Sequence, residues 1–410
     1  MPLGLLLGLA LLQGTPAPVA AMPIPVEQDI EAWTADARQY ARRFDVSVGE
    51  AVRRLRLQEA SVPLTDQLRA RWEDRLAGLY IDHKPEWRIV VLLTGSKPVP
   101  DQQVLIAGMP VTVAFKVGAP ANQAQILNAI DRHQADLRTA IAHPPGMGPD
   151  AHTGTLAVMM RPEDLDKGGR AATEERLAAI AGVPVTIRAW ADSDKNLSME
   201  AGARVDGMDL SENKRFLCTS GFAVTDGDRT AITTAAHCPN DLSFVRADKS
   251  REPLKMIGSW GARYQDVQIH SAEQDIAPLL RADDGERPRY VTSWRNRTST
   301  RAGDFVCHRG ERTGYSCSEV MFVDYAMPGD LCAGPCPAYW VAVAGPACKS
   351  GDSGGPVFLG TIAFGLTKGG SYTAGGTCKL YYYMSTDYLP EGWRVLTRSN
   401  AVSRVASATR

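Results

Sequence analysis

Apolar and polar positions alternate along this chain in two different rhythms, and the change between them falls near residue 200. In the first half a helical rhythm recurs. "SVGEAVRRLRLQEA" opens with a capping-box pattern, Ser47 with Glu50 three residues on, and then sets Ala51, Val52, Leu55 and Ala60 close to one helical face. "NQAQILNAIDRHQADLR" and "AATEERLAAIAG" predict further helices, while "WRIVVLLT", "VTVAFKV", "TLAVMM" and "PVTIRAW" predict strands. Residues 22–201 therefore read as a small α+β unit. Residues 202–398 carry short β-rich runs separated by glycine and polar turns: "CTSGFAV", "RTAITTAAHC", "DVQIH", "DFVCHRGERTGYSC", "YWVAVAG" and "TIAFGLTKGG". These predict an all-β sandwich or barrel. The junction, "DSDKNLSMEAGARVD" at 192–206, is polar and rich in small residues, the composition of a protease-accessible link.

The ends and the composition add limits. An apolar run from Leu3 to Leu12 followed by small residues reads as a secretory signal over 1–21, too short to span a bilayer as a helix; residues 399–410 form a C-terminal tail. No other stretch reads as transmembrane, so the expectation is a secreted, extracellular protein. With 410 residues the chain has room for more than one core, and a net charge of −1 gives no electrostatic reason to expect nucleic acid or an anionic membrane as partner. All eight cysteines lie in the second half: Cys218, Cys238, Cys307, Cys317, Cys332, Cys336, Cys348 and Cys378. An even count behind a signal reads as disulfides. Cys332-x3-Cys336 has zinc-ligand spacing, but a second close pair of ligands is hard to find, so neither metal nor cofactor is expected.

"GDSGG" at Gly351–Gly355 fits G-x-S-x-G, a pattern shared by more than one hydrolase architecture. In an α/β-hydrolase the acid and the histidine both follow the serine. Here the histidines are His83, His133, His143, His152, His237, His270 and His308, all before Ser353, so that order is excluded. A serine hydroxyl needs an imidazole within hydrogen-bond reach to take its proton, and the imidazole needs a carboxylate to fix its tautomer. "TTAAHC" supplies His237 at the end of a β-branched run, and two candidate acids follow it, Asp266 and Asp275. Asp266 lies in an alternating strand pattern, Val267 and Ile269 on one face and Gln268 on the other. The glycines beside Ser353 suit an oxyanion hole built from the N–H groups of Gly351 and Ser353.

Together "CTSGFAV" leading to "TAAHC", then "VCHRGERTGYSC", then "GDSGGPVF" with "IAFGLTKGGS" resemble the chymotrypsin family of serine proteases, in particular its bacterial branch of streptogrisins and α-lytic protease. The resemblance covers roughly 202–396. It implies two antiparallel β-barrels with His237, an aspartate and Ser353 in the cleft between them; the short connections of bacterial relatives favour Asp266, 29 residues after His237, over Asp275, 38 after. It implies that Lys368, Gly369 and Gly370 border the bound substrate, and disulfides Cys218–Cys238, Cys307–Cys317 and Cys348–Cys378, which leaves Cys332 and Cys336 to each other. It further implies that the first half is a pro-region acting as intramolecular inhibitor or folding aid, and that the enzyme is a secreted monomeric endopeptidase acting on polypeptides. An inactive homologue that binds a partner through the cleft, or an esterase on the same scaffold, are the alternatives. The chain departs from the pattern at His308, where streptogrisins carry an arginine that pairs with the aspartate before the nucleophile, so that His308 or Arg309 is the candidate partner of Asp352. It departs again at Lys368, which stands where the family has serine, and in "ACKSGDS", one residue shorter than in streptogrisins. No acid occupies "PACKSG", which points to an apolar or mid-sized side chain before the scissile bond.

Overall fold

The computed structural model describes residues 26–189, 194–196, 203–209, 214–246, 249–272, 276–283, 287–345, 347–373 and 375–401. The proposed signal at 1–21, Asp275 and most of the 192–206 junction and of the tail lie outside the described residues.

The chain begins with three helices, α1 (Asp29–Phe44), α2 (Val48–Ala60) and α3 (Val62–Arg71). Ser47 caps α2 by accepting the Glu50 N–H, as its sequence predicts, but the Glu50 carboxylate turns to Arg53 and Arg54 instead of closing the box. The buried face of α2 also differs from the apolar stripe. It comprises Ala51, Arg54, Leu55, Leu57 and Gln58, while Ala60 is exposed. Arg54 is buried against the His83 carbonyl and Glu50, and Gln58 against the second half: its amide donates to the Phe305 carbonyl at 3.1 Å and its oxygen accepts the Phe305 N–H at 2.7 Å, so the helix reads a β-strand's backbone.

Two small sheets complete the first half. Leu76–Asp82, Arg88–Thr94, Met109–Ala119 and Gln102–Ile106 form one four-stranded sheet, and Gly146–Asp150, Thr155–Met160 and Val185–Ala189 form a three-stranded one that carries helices α4 (Gln123–Thr139) and α5 (Gly169–Ala181). The first half is the expected α+β unit.

The second half is all β. An eight-stranded antiparallel sheet contains Thr230–Thr234 paired to Val267–Ser271, the strands that deliver His237 and Asp266. In the other sheet Ile362–Tyr372, Pro356–Leu359, Phe305–Gly310, Gly314–Tyr325, Trp340–Ala344 and Cys378–Ser385 pair in that order, and the last pairs back to the first, closing a six-stranded barrel. Closure removes both sheet edges, and these strands contribute Phe305, Phe322, Trp340, Phe358 and Tyr383 to the main buried core. The half is all β, as expected for a chymotrypsin-like fold, with one closed barrel among the described residues where two were expected, and the remaining strands in the eight-stranded sheet. Four disulfides staple it, Cys218–Cys238, Cys307–Cys317, Cys332–Cys336 and Cys348–Cys378.

The two halves share one apolar core, since Tyr40, Phe44, Ala51 and Leu55 pack in the same cluster as the closed barrel. Short backbone bridges also cross between them, Tyr80 with Ala302 and Met147 with Ala326. Strand Asp194–Asn196, close to the end of the α+β half, pairs antiparallel with Gly369–Ser371 of the barrel.

Candidate active site

His237 follows the Thr230–Thr234 strand, where Ala235 is fully buried and the disulfide of the next residue, Cys238, ties the turn to Cys218. Asp266 immediately precedes the Val267–Ser271 strand and is 2 % exposed. Ser353 stands on the turn before the Pro356–Leu359 strand of the closed barrel. The fold therefore draws Asp266 and His237 from one sheet and Ser353 from the other.

Thr219 joins the two, and sequence reasoning missed it. Its N–H donates to the Ser353 carbonyl at 2.7 Å, its hydroxyl to the Gly351 carbonyl at 3.2 Å, and its carbonyl accepts from the Thr234 hydroxyl at 2.5 Å. Only its place beside Cys218 marked it in the sequence.

The side chains meet in series. His237 Nε2 lies 2.8 Å from Ser353 Oγ, and His237 Nδ1 lies 2.8 Å from Asp266 Oδ2, while the His237 backbone N–H donates to Asp266 Oδ1 at 3.2 Å. An ionised carboxylate can only accept, so the proton of neutral His237 belongs on Nδ1, and Nε2 is the acceptor for the serine hydroxyl. Burial by itself pushes the Asp266 carboxyl up. The neighbouring charges of His237 and Lys368, with their hydrogen bonds, overcome that and hold it at about 2.

Three further residues support this arrangement. Gln268, on the face opposite Val267 and Ile269, is fully buried because its amide donates to the carbonyls of Ala235, Cys238 and Pro239, which fixes the His237 turn. His270, buried on the same strand, is pressed down to about 4 by desolvation. Lys368 is 3 % exposed, and its ammonium lies 3.3 Å from Asp266 Oδ2, so its side chain is turned towards that carboxylate.

The Ser353 turn is built on backbone geometry. Gly351 has φ +117°, a conformation that side chains rarely adopt, and a Cβ on Gly354 would stand 2.4 Å from Thr234 Oγ1 and 2.5 Å from the Thr219 carbonyl. Neither the Gly351 nor the Ser353 N–H has an acceptor among the described residues outside regular strands and helices, the condition for two donors to serve a ligand oxygen. Asp352 is held by the N–H groups of Arg312, Thr313 and Lys349 and by the Thr313 hydroxyl at 2.7 Å. His308 turns elsewhere, placing Nε2 2.9 Å from the Ala347 carbonyl and 2.8 Å from the Ser316 hydroxyl. Burial lowers its proton affinity.

Just after Lys368, the barrel strand pairs Gly369 and Gly370 with Asn196 and Lys195 of the α+β half, whose backbone occupies that edge.

No family model matches the chain. Among solved structures it resembles Thermobifida fusca Protease A, at 22% identity over 48% of this chain and 98% of that chain with a TM-score of 0.38. It likewise resembles a glutamic acid specific serine protease described as using a histidine triad in substrate binding, at 22% identity, the same coverage of both chains and a TM-score of 0.39. Nocardiopsis Protease matches at 20% identity, again over 48% of this chain and 98% of that chain, with a TM-score of 0.38. At these identities the likeness is one of fold.

Proposed function

We propose that the chain is the precursor of a secreted serine endopeptidase that hydrolyses peptide bonds through an acyl-enzyme at Ser353. The observation that carries this reading is the series Ser353–His237–Asp266 at 2.8 Å for both links. In this reading Ser353 Oγ attacks the scissile carbonyl as His237 Nε2 takes its proton, and Asp266 steadies the imidazolium. His237 then returns the proton to the leaving amine, and a water attacks the acyl-enzyme by the same route in reverse. The oxyanion forms against the N–H groups of Gly351 and Ser353, each such donor contributing about 3 kcal/mol to the transition state.

The α+β half acts as an intramolecular inhibitor. A polypeptide substrate is read by adding a strand beside Gly369 and Gly370, and strand Asp194–Asn196 already lies along that edge. Processing falls in 197–203, because Arg204–Asp209 is itself a strand of the eight-stranded sheet, paired to Lys214–Thr219 and Leu242–Val245. The mature enzyme is a monomer in this reading and acts on polypeptides without a cofactor.

The test is to follow secreted material for casein and ester hydrolysis, label it with a serine-directed fluorophosphonate and sequence the N-terminus of the labelled species. A labelled protease beginning within 198–204 supports the proposal. Full proteolytic activity in a species that still begins near residue 22 overturns the inhibitory role. Ester hydrolysis without proteolysis makes it an esterase, and a folded protein that neither labels nor hydrolyses makes it a binding homologue.

A further inference from the structure

A buried ammonium beside a catalytic carboxylate needs a reason. Removing a lysine charge from water is costly unless the ion is paired, and Lys368, 3 % exposed, has Asp266 as its salt-bridge partner at 3.3 Å. The atom it approaches is Oδ2, the same oxygen that His237 Nδ1 reaches at 2.8 Å. One carboxylate oxygen thus serves two cationic groups whenever His237 is protonated. The two nitrogens are then no more than about 6 Å apart, a separation at which like charges oppose each other's ionisation.

We propose that Lys368 is a positioning residue that sets the acid limit of the reaction: its ammonium shares Asp266 with His237 and opposes protonation of the imidazole. His237 then stays a competent base in more acidic solution than a triad whose aspartate served the histidine alone. The inference deepens the serine-protease reading and rests on it. The same charge keeps Asp266 ionised and anchored, so that Oδ1 remains available to the His237 backbone N–H at 3.2 Å. It acts through Asp266 and has no contact with the reacting atoms.

The other titratable groups of the surrounding elements leave Lys368 in this role. On the acid's own strand His270 is held neutral near pH 7, its value pressed down to about 4 by burial. On the strand paired with that of Lys368, Tyr381 and Tyr383 are kept neutral by burial, which pushes both phenols up. In the short turn that follows, Asp387 accepts the Arg297 N–H at 2.7 Å and the Tyr388 hydroxyl meets Arg297. Across the nucleophile turn Asp352 takes the Arg312, Thr313 and Lys349 N–H groups, and His308 is engaged with Ala347 and Ser316. Strand Asp194–Asn196 leaves with the N-terminal half in the processed enzyme.

The test measures the pH dependence of kcat/KM, on a peptide substrate, for processed enzyme made from the full-length chain with Lys368→Met, Lys368→Ser, Lys368→Gln and Lys368→Arg. Any one folded neutral variant suffices for the comparison with the parent. The neutral variants should shift the acid limb upward by about one pH unit, the effect of removing one nearby like charge, and so lose about tenfold in kcat/KM below the limb. Lys368→Arg should keep the parent's limb. A limb that stays in place in the neutral variants, or moves downward, overturns the role of Lys368. Fluorophosphonate labelling of the same samples separates the two layers of the argument. Labelling at Ser353 with an unmoved limb removes only the role of Lys368, whereas a parent enzyme whose activity survives Ser353→Ala removes the triad reading itself.

Discussion

Asp36 offers a perturbation whose effect should vanish once the precursor is processed. This carboxylate, on α1 of the α+β half, is fully buried and accepts from Arg289 Nη1 at 2.9 Å, from the Tyr315 hydroxyl at 2.5 Å and from the Gly360 N–H at 2.5 Å. Burial pushes its carboxyl up, and Arg289 opposes that. Asp36→Ala removes all three bonds and leaves the Arg289 guanidinium, itself fully buried, with Glu27 and Asp283 as remaining carboxylate partners. Breaking a buried pair costs about 3–5 kcal/mol, and the two remaining carboxylates place this case at the lower end, about 3 kcal/mol or a factor of about 150 in the equilibrium. The assay is urea unfolding of the full-length chain carrying Ser353→Ala, which blocks self-processing, with and without Asp36→Ala. Mature enzyme from the Asp36→Ala precursor is compared with mature wild type, and the two should be indistinguishable because the residue has left. A precursor loss under about 1 kcal/mol, or an equal loss in the mature enzyme, would refute the reasoning.

Further expectations concern the catalytic half. Asp266→Asn should lower turnover by about four orders of magnitude, because an amide can hold His237 in the wrong tautomer; a near-normal peptidase rate would transfer the role of acid to another carboxylate, with Asp275→Asn as the comparison. His270 contributes to acid sensitivity. Its folded value of about 4 lies below the ordinary histidine value of about 6.5, so the stability it contributes is complete above about 6.5 and is lost as pH falls towards 4, up to about 3 kcal/mol. His270→Gln should flatten the fall of the urea midpoint across that window, and an unchanged fall would assign it to other groups.

The order His237, Asp266, Ser353 and the β-rich texture around them were legible because nucleophilic catalysis constrains residue type and because strands alternate or run apolar. The cysteine pairings were legible only through the family resemblance, which implied three of them and left Cys332 to Cys336. What stayed hidden depends on contacts between distant segments. Gln58 and Arg54 broke the apolar stripe of α2 since their partners, the Phe305 backbone and the His83 carbonyl, lie 247 and 29 residues away. The burial of Gln268 stayed hidden because alternation carries no information about three carbonyls waiting inside a turn. Lys368 was visible as a departure from the family's serine; its direction, towards Asp266, required the barrel. Asp352 found backbone donors and the Thr313 hydroxyl, partners that a search for a basic side chain at position 308 or 309 does not propose.

The central claim is that Ser353 is a nucleophile activated by His237. It is tested most directly by reacting the processed protein with a fluorophosphonate and locating the adduct by peptide mass mapping, with Ser353→Ala and His237→Ala alongside. The account expects one stoichiometric adduct on the peptide that contains Gly351–Gly355, lost in the first variant and slowed by at least about a thousandfold in the second. An adduct on a different residue, or undiminished labelling and peptidase activity in Ser353→Ala, would contradict it.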